Sequence, residues 1–352
     1  MTKGRRAPAQ VRCSAVPAAA RTRIAVLGAG NLGTALAQAL AGNGHQVAIW
    51  DFFPDVVEDI RKRRKNRRFL PGLRLHPGIC AVESAPECVV GASLVIISVP
   101  SSFVRSTLVQ ALPTLGTGAV LLNVAKGFSP GTRQSLLSLF GRLAPGHACA
   151  HLAGPCIANE IAEGLPTAIV IASADLPAAQ RVAAWFSGRI FLPSTTTDVM
   201  GAILGGILKN VYAVLLGCLE GLSGPSRNLE ASILSACVHE MASIAIAHGG
   251  KAETLHGLAG LGDLIATGFS PDSHNRKLGQ QLAAGMSVVE IKKDLGWLPE
   301  GARAATTACA LARAGGVRAP LAGWVRRMLA GGPPSLDGLL RVLRVATQGA
   351  RG

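Results

Sequence analysis

One stretch restricts this chain more than any other. Gly28-Ala29-Gly30-Asn31-Leu32-Gly33 reads G-x-G-x-x-G, directly after the apolar run Arg23–Leu27 and directly before the helix-forming run 32–42. That strand–turn–helix context turns a common glycine pattern into a dinucleotide-binding turn. Gly28 permits the tight turn, Gly30 lets backbone approach a pyrophosphate, and Gly33 lets helix pack on strand. The helix then offers the unpaired N–H groups of its first turn, including those of Asn31 and Leu32, to the phosphates.

The rest of the first half fits such a turn. Residues 46–50, 93–99, 119–124, 148–153 and 167–172 are short apolar runs alternating with helical stretches. Strands that are apolar throughout imply a parallel sheet covered on both faces, so a doubly wound α/β Rossmann-type sheet is expected. After about Pro193 the pattern changes. Segments 199–222, 229–248, 275–285, 301–314, 319–330 and 335–347 are Ala/Leu-rich and helical, broken by Gly and Pro. We expect an extension over 1–22, a dinucleotide-binding domain over 23–195 and an all-helical domain over 196–347. With 352 residues, two domains of about 150 residues each is the ordinary expectation. The run 201–219 approaches membrane-span length but carries Lys209 near its middle, and reads as a buried core helix.

Charge is concentrated rather than spread. The formal net charge is +15. Lys3, Arg5, Arg6, Arg12, Arg21 and Arg23 precede or open the first strand, and Arg61, Lys62, Arg63, Arg64, Lys65, Arg67 and Arg68 form a second basic stretch. Removing both leaves the remainder nearly balanced, so no nucleic-acid partner is expected. Aromatic residues, at 4%, are also too few for base-stacking platforms. The acid-free terminus admits two readings, a plain bacterial extension of a cytoplasmic protein or an organelle (plastid) transit peptide. Eight cysteines without a CxxC pair read as free thiols in a reducing compartment, and no metal site is expected.

Asp51 closes the second strand, where a carboxylate accepts hydrogen bonds from the adenosine ribose, and Phe52 and Phe53 offer no cation to a 2′-phosphate. This favours NAD. The counterweight is the 61–68 stretch. An arginine folding back from it would accept NADP, whereas a solvated helix end and loop would not.

Several motifs now stand in order: GAGNLGTALA at 28–37, Asn66 to Pro71 (NRRFLP), Val124-Ala125-Lys126-Gly127-Phe128, Gly154-Pro155-Cys156 leading to Pro166-Thr167-Ala168, Leu208-Lys209-Asn210-Val211, the Gly257 to Leu264 segment with Thr267, Ser273-His274-Asn275-Arg276, and Glu300-Gly301. Together they resemble the NAD(P)-dependent glycerol-3-phosphate dehydrogenase family, soluble and biosynthetic, from about Arg23 to Leu343. The resemblance implies reversible hydride transfer between nicotinamide and carbon 2 of dihydroxyacetone phosphate, giving sn-glycerol 3-phosphate for phospholipid synthesis. It implies Lys209 as catalytic acid and base, Asp263 as its partner, and Lys126 at substrate and cofactor. Thr267, Ser273, His274 and Asn275 match substrate-binding positions. Ala158, His274 and Glu300 match cofactor contacts. A homodimer is expected. A lysine inside an apolar helix is desolvated, which lowers its pKa toward a useful range.

The chain departs from the family at three residues and by one extra residue in the loop 222–228. His274 stands where the family usually has Arg, Cys156 replaces Ser, and Ala236 replaces a common Arg. These leave two alternatives open: a related dehydrogenase acting on another small hydroxy compound, and a dinucleotide-binding protein without turnover.

Overall fold

The computed structural model describes residues 21–129, 134–224 and 226–348. Most of the basic extension, and one position of the 222–228 loop, therefore lie outside the described residues. The first half holds strands β1 (Arg23–Leu27), β2 (Gln46–Trp50), β3 (Ile79–Ala81), β4 (Leu94–Ile97), β5 (Val120–Asn123), β6 (Cys149–Ala153), β7 (Thr167–Ala172) and β8 (Phe191–Thr196). Between them run α1 (Asn31–Gly42), α2 (Pro54–Arg63), α3 (Ala85–Val89), α4 (Val104–Ala111), α5 (Leu136–Leu143), α6 (Ala158–Ala162) and α7 (Leu176–Phe186). The second half holds α8 (Val199–Ser223), α9 (Arg227–Ile246), α10 (Ala252–His256), α11 (Asp263–Phe269), α12 (His274–Ala283), α13 (Val288–Leu295), α14 (Glu300–Ala314), α15 (Pro320–Leu329) and α16 (Leu336–Gln348).

The eight strands form one sheet in the order β3-β2-β1-β4-β5-β6-β7-β8. Alternate residues of β1 serve opposite faces. Ile24 and Val26 pack among α1 and α2, while Ala25 and Leu27 pack among α3, α4 and α5. Strand order reverses between β1 and β4, and the carboxyl ends of these strands open the crevice where α/β sheets bind ligands.

The sheet corrects one expectation. It is not wholly parallel, because β7 runs antiparallel to β6, with β8 parallel to β7. Burial on both faces makes a strand apolar throughout whichever way it runs, so composition carries no direction. Two strands also escaped the sequence reading. β3 has three residues, and β8 carries Pro193, which the sheet edge tolerates because no neighbour needs its missing N–H.

In the second half, α8 is apolar on every side and buried along most of its length, with α9, α11, α12, α14 and α15 packed around it. It is long and apolar enough to cross a membrane by length alone, yet its most apolar stretch is covered by its own neighbours. α12 crosses it at backbone contact. A Cβ at Gly279 would stand 2.0 Å from the Val214 carbonyl oxygen, and one at Gly217 would stand 2.1 Å from that of Arg276. Only glycines permit this approach, which sets the start of α12 beside the middle of α8.

Candidate active site

The glycine-rich turn has the shape that its sequence demands. Gly28 has φ +110°, and a Cβ there would meet the Ser98 carbonyl oxygen at 2.6 Å. A Cβ at Gly33 would fall 2.0 Å from the Gly28 oxygen, whereas one at Gly30 would meet nothing within 4 Å. Two of the glycines are thus closed by protein, and the third faces open space at the start of α1. No side chain caps that helix, so its first N–H groups remain for an anion. A dinucleotide pyrophosphate fits this cradle.

The Ala29 peptide is held from both sides. Its N–H donates to Asp51 Oδ2 at 2.6 Å, and its carbonyl accepts from Asn66 Nδ2 at 2.7 Å and from Thr34 Oγ1 at 3.0 Å. Asp51 also accepts from the Phe53 N–H at 3.0 Å. One of its oxygens therefore faces the turn and the other the backbone just after β2, and burial pushes its pKa up despite those bonds. Phe52, by contrast, is 76% exposed beside it. Ala158 opens α6, which packs on α1.

The second cluster joins the two halves. Lys126 lies in the loop after β5, Lys209 in the middle of α8, and Asp263 at the first position of α11, immediately after a π-helical turn, Leu258–Gly262. Thr267 follows Asp263 by one helical turn and so shares its face. Lys209 Nζ donates to Asp263 Oδ1 and, at 2.8 Å, to Thr267 Oγ1. Lys126 Nζ donates to Asp263 Oδ2 at 3.3 Å. Two ammonium groups thus share one carboxylate.

Lys209 is 4% exposed and Asp263 2%. Burial pulls the Lys209 pKa down, the Asp263 carboxylate raises it, and Lys126 lowers it again, leaving it at about 7. Burial is also the largest single pull on Lys126, downward, but Asp263, Lys209 and Glu300 together outweigh it and its pKa is raised. Cys156 is close enough to feel these charges. Desolvation first, and Asp263 second, push its thiol up to about 12, so it stays protonated.

A third group adjoins the second. Asn275 Nδ2 donates to Asn210 Oδ1 at 2.9 Å, and its Oδ1 accepts from the Gly301 N–H at 2.8 Å. Asn210 Nδ2 donates to Glu300 Oε2 at 3.2 Å. Asn275 and Glu300 are therefore tied to the residue next to Lys209. Ser273 caps α12, accepting from the Arg276 N–H at 3.2 Å. His274 packs edge-on against Trp297, with ring centroids 4.9 Å apart. Desolvation, with Lys277 nearby, lowers its pKa. Arg276 does not replace the missing arginine, since its guanidinium pairs with Glu220 at 2.6 Å.

Both the sequence and the fold match a known family. Residues 23–179 fit the family model described as the NAD-dependent glycerol-3-phosphate dehydrogenase N-terminus, and residues 198–337 fit the corresponding C-terminus. The chain belongs to the NAD-dependent glycerol-3-phosphate dehydrogenase family. It is 36% identical over 334 residues to the glycerol-3-phosphate dehydrogenase [NAD(P)+] of Geobacter metallireducens, covering 94% of this chain and 99% of that one. It is 37% identical over 322 residues to the enzyme of the same name from Thermobifida fusca, covering 91% and 96%. The crystal structure of glycerol-3-phosphate dehydrogenase from Coxiella burnetii superposes with a TM-score of 0.83 at 29% identity, covering 92% of this chain and 99% of that one. D-mandelate dehydrogenase shares only the fold, with a TM-score of 0.59 at 13% identity.

Within this dehydrogenase family member, the departures fall in distinct places. Cys156 lies at the lysine cluster, His274 at the start of α12, and Ala236 in the core of the helical half. The structure also adds residues that sequence reasoning passed over. Asn66 clamps the glycine-rich turn, and its place at the head of the NRRFLP segment was the available signal. Asn210 is the hub of the third group, and adjacency to Lys209 was its signal. Asn123 brackets Ala125, accepting from its N–H at 3.2 Å and donating to its carbonyl at 2.8 Å, which shapes the loop presenting Lys126. His151 backs Asn123 through Nδ1 at 3.0 Å. Burial, with Lys126 nearby, holds it neutral with a pKa of about 4. No sequence signal marked this pair.

Proposed function

We infer that this chain is an NAD(P)-dependent glycerol-3-phosphate dehydrogenase that reduces dihydroxyacetone phosphate reversibly to sn-glycerol 3-phosphate, feeding phospholipid synthesis. The observation that carries the reading is the geometry at Lys209: a buried side chain held by Asp263 and Thr267, with Lys126 on the same carboxylate and burial lowering the Lys209 pKa. A dinucleotide held at the Gly28–Gly33 turn would supply the hydride for reduction and accept it in oxidation.

The side chains do the rest. Lys209 Nζ gives its proton to the carbonyl oxygen as charge builds there, and recovers one from the alcohol in oxidation. Asp263 orients Lys209 and keeps a proton available on it. Lys126 is a second cation for the developing oxyanion. Thr267, Asn275 and the amino terminus of α12 suit the substrate's phosphate. Glu300, through Asn210, fixes the helical wall against the cofactor. Gly28, Gly30, Gly33 and the N–H groups of Asn31 and Leu32 seat the pyrophosphate. Ser273 acts on the phosphate only indirectly, by capping α12.

We divide the chain into an extension (1–22), a cofactor domain (23–195) and a catalytic domain (196–347). We place it in the cytoplasm as a homodimer, the latter to be checked by light scattering on the purified protein. The deciding experiment is steady-state oxidation of NADH and NADPH with dihydroxyacetone phosphate and, separately, with dihydroxyacetone. Turnover that requires the phosphate supports the assignment. His274 motivates the second reading, a related dehydrogenase for another hydroxy compound, and a preference for the unphosphorylated ketone would establish it instead.

A further inference from the structure

The basic stretch from Arg61 to Arg68 is mostly spent on its own surroundings. Arg61 pairs with Glu83 and Lys62 with Glu58, each at 2.5 Å. Arg63 and Arg67 both hold Asp59, at 3.2 and 3.0 Å. Arg64, in the left-handed region at φ 56°, donates to the carbonyls of Ile79 and His76 at 2.7 Å. Arg68 is placed differently. Its guanidinium stacks on the Phe53 ring, 3.7 Å from the centroid, with Phe69 at 5.4 Å. Its acidic neighbour is Asp55 at 3.5 Å, and the two side chains are 45% and 67% exposed. Such a long, solvated pair holds an arginine only weakly.

Phe53 lies two residues beyond Asp51, at the carboxyl end of β2, where the adenosine ribose of a dinucleotide rests in this fold. Arg68 is near enough for its charge to act on the Asp51 carboxylate. Asp51 has both oxygens engaged by the N–H groups of Ala29 and Phe53. The acid that would select a ribose diol is thus turned inward, and a flat cation stands above the same strand end. Arginine stacked on an aromatic ring keeps its donor edge free, and that edge matches a phosphate bidentately.

We propose that Arg68, stacked on Phe53, binds the 2′-phosphate of NADP(H) and makes the phosphorylated dinucleotide the preferred cofactor of this chain. The proposal deepens the function given above and rests on its cofactor assignment. It makes Arg68 a specificity residue that reaches the ribose from the loop after α2 rather than from the end of β2.

Calorimetric titration of the full chain with adenosine 2′,5′-bisphosphate and with 5′-AMP tests it without turnover. The bisphosphate should bind more tightly by about ten- to a hundredfold, the range of a charge-assisted bond. In Arg68→Gln the ratio of the two affinities should fall to near one. Equal affinities in the parent chain, or an unchanged ratio in Arg68→Gln, would overturn the proposal. Because dihydroxyacetone phosphate takes no part, the result is independent of the substrate assignment. A failed turnover assay beside an intact affinity ratio would sink the proposed reaction and leave Arg68's role standing.

Discussion

Lys209 holds a charge that its surroundings only just sustain. Desolvation favours the neutral amine, Asp263 favours the ammonium, and Lys126 opposes it. A group balanced near neutrality can both give and take a proton, which reversible reduction requires. Lys209→Ala should lower kcat for ketone reduction by roughly 10²–10⁴-fold, the usual worth of a positioned acid, with the circular dichroism spectrum retained. Unchanged turnover would remove Lys209 from the mechanism. The pH dependence has a definite sign. Reduction needs the protonated lysine, so its rate should fall as pH rises through about 7, and oxidation should fall as pH drops below it. In Lys126→Met the repulsion on Lys209 is gone, so its pKa rises and the falling limb of reduction should move to higher pH. A limb that stayed in place would assign the titration to another group.

At the scale of elements, glycines decide where backbones meet and where ligand enters. Gly30 and Gly33 sit in one turn but face different things. A Cβ at Gly33 strikes the Gly28 carbonyl, and one at Gly30 enters open space above α1. Gly30→Ala should therefore keep the melting temperature while weakening cofactor binding about tenfold, or 1.4 kcal/mol, by titration. Gly33→Ala should instead destabilise the protein by roughly 1–3 kcal/mol, the typical cost of overpacking, seen in chemical denaturation. The reverse pattern would place the pyrophosphate elsewhere. The same logic covers α8 and α12, whose crossing at Gly217 and Gly279 brings Asn275 to Asn210. Asp263 is placed by a π-helical turn, which sets the carboxylate at the head of α11 against the face of α8 that carries Lys209.

Over the whole molecule, the sheet half and the helical half each hold large apolar cores, two smaller apolar clusters join them (Ala153, Val170 and Ala172 with Ala202 and Ala259, and Leu137 with Ile203 and Ile207), and the lysine–carboxylate cluster bridges them as well. Lys126 comes from the sheet and Asp263 from the helices. Their contact is polar, with the Lys126 side chain 28% exposed, so it is open to rearrangement when substrate enters. A double-mutant cycle on Lys126→Met and Asp263→Asn, read in kcat/KM, should be non-additive by about 0.5–3 kcal/mol. Additive losses would mean that the two halves act on substrate independently. The basic stretch at 61–68 acts locally instead, since four of its seven bases pair with Glu83, Glu58 and Asp59.

Local chain chemistry was enough to determine the dinucleotide turn, the change from alternating strands to helices after β8, and a lysine inside an apolar helix. Each depends on neighbours within a few residues: glycine spacing, apolar period, and one charge in an uncharged run. Other features depend on partners far along the chain. The direction of β7 was hidden because burial on both faces erases periodicity. Asp51 was legible as the end of β2, but only the fold showed its oxygens turned onto Ala29 and Phe53. Likewise, seven bases within eight residues look equivalent until Glu83, Glu58 and Asp59 claim four of them and Phe53 receives Arg68. Sequence named the lysines and the carboxylate. The tertiary structure decided that one carboxylate serves both lysines, and it decided the burial of Lys209, whose desolvation, with Lys126 adding to it, pulls the amine's pKa down against the opposing pull of Asp263.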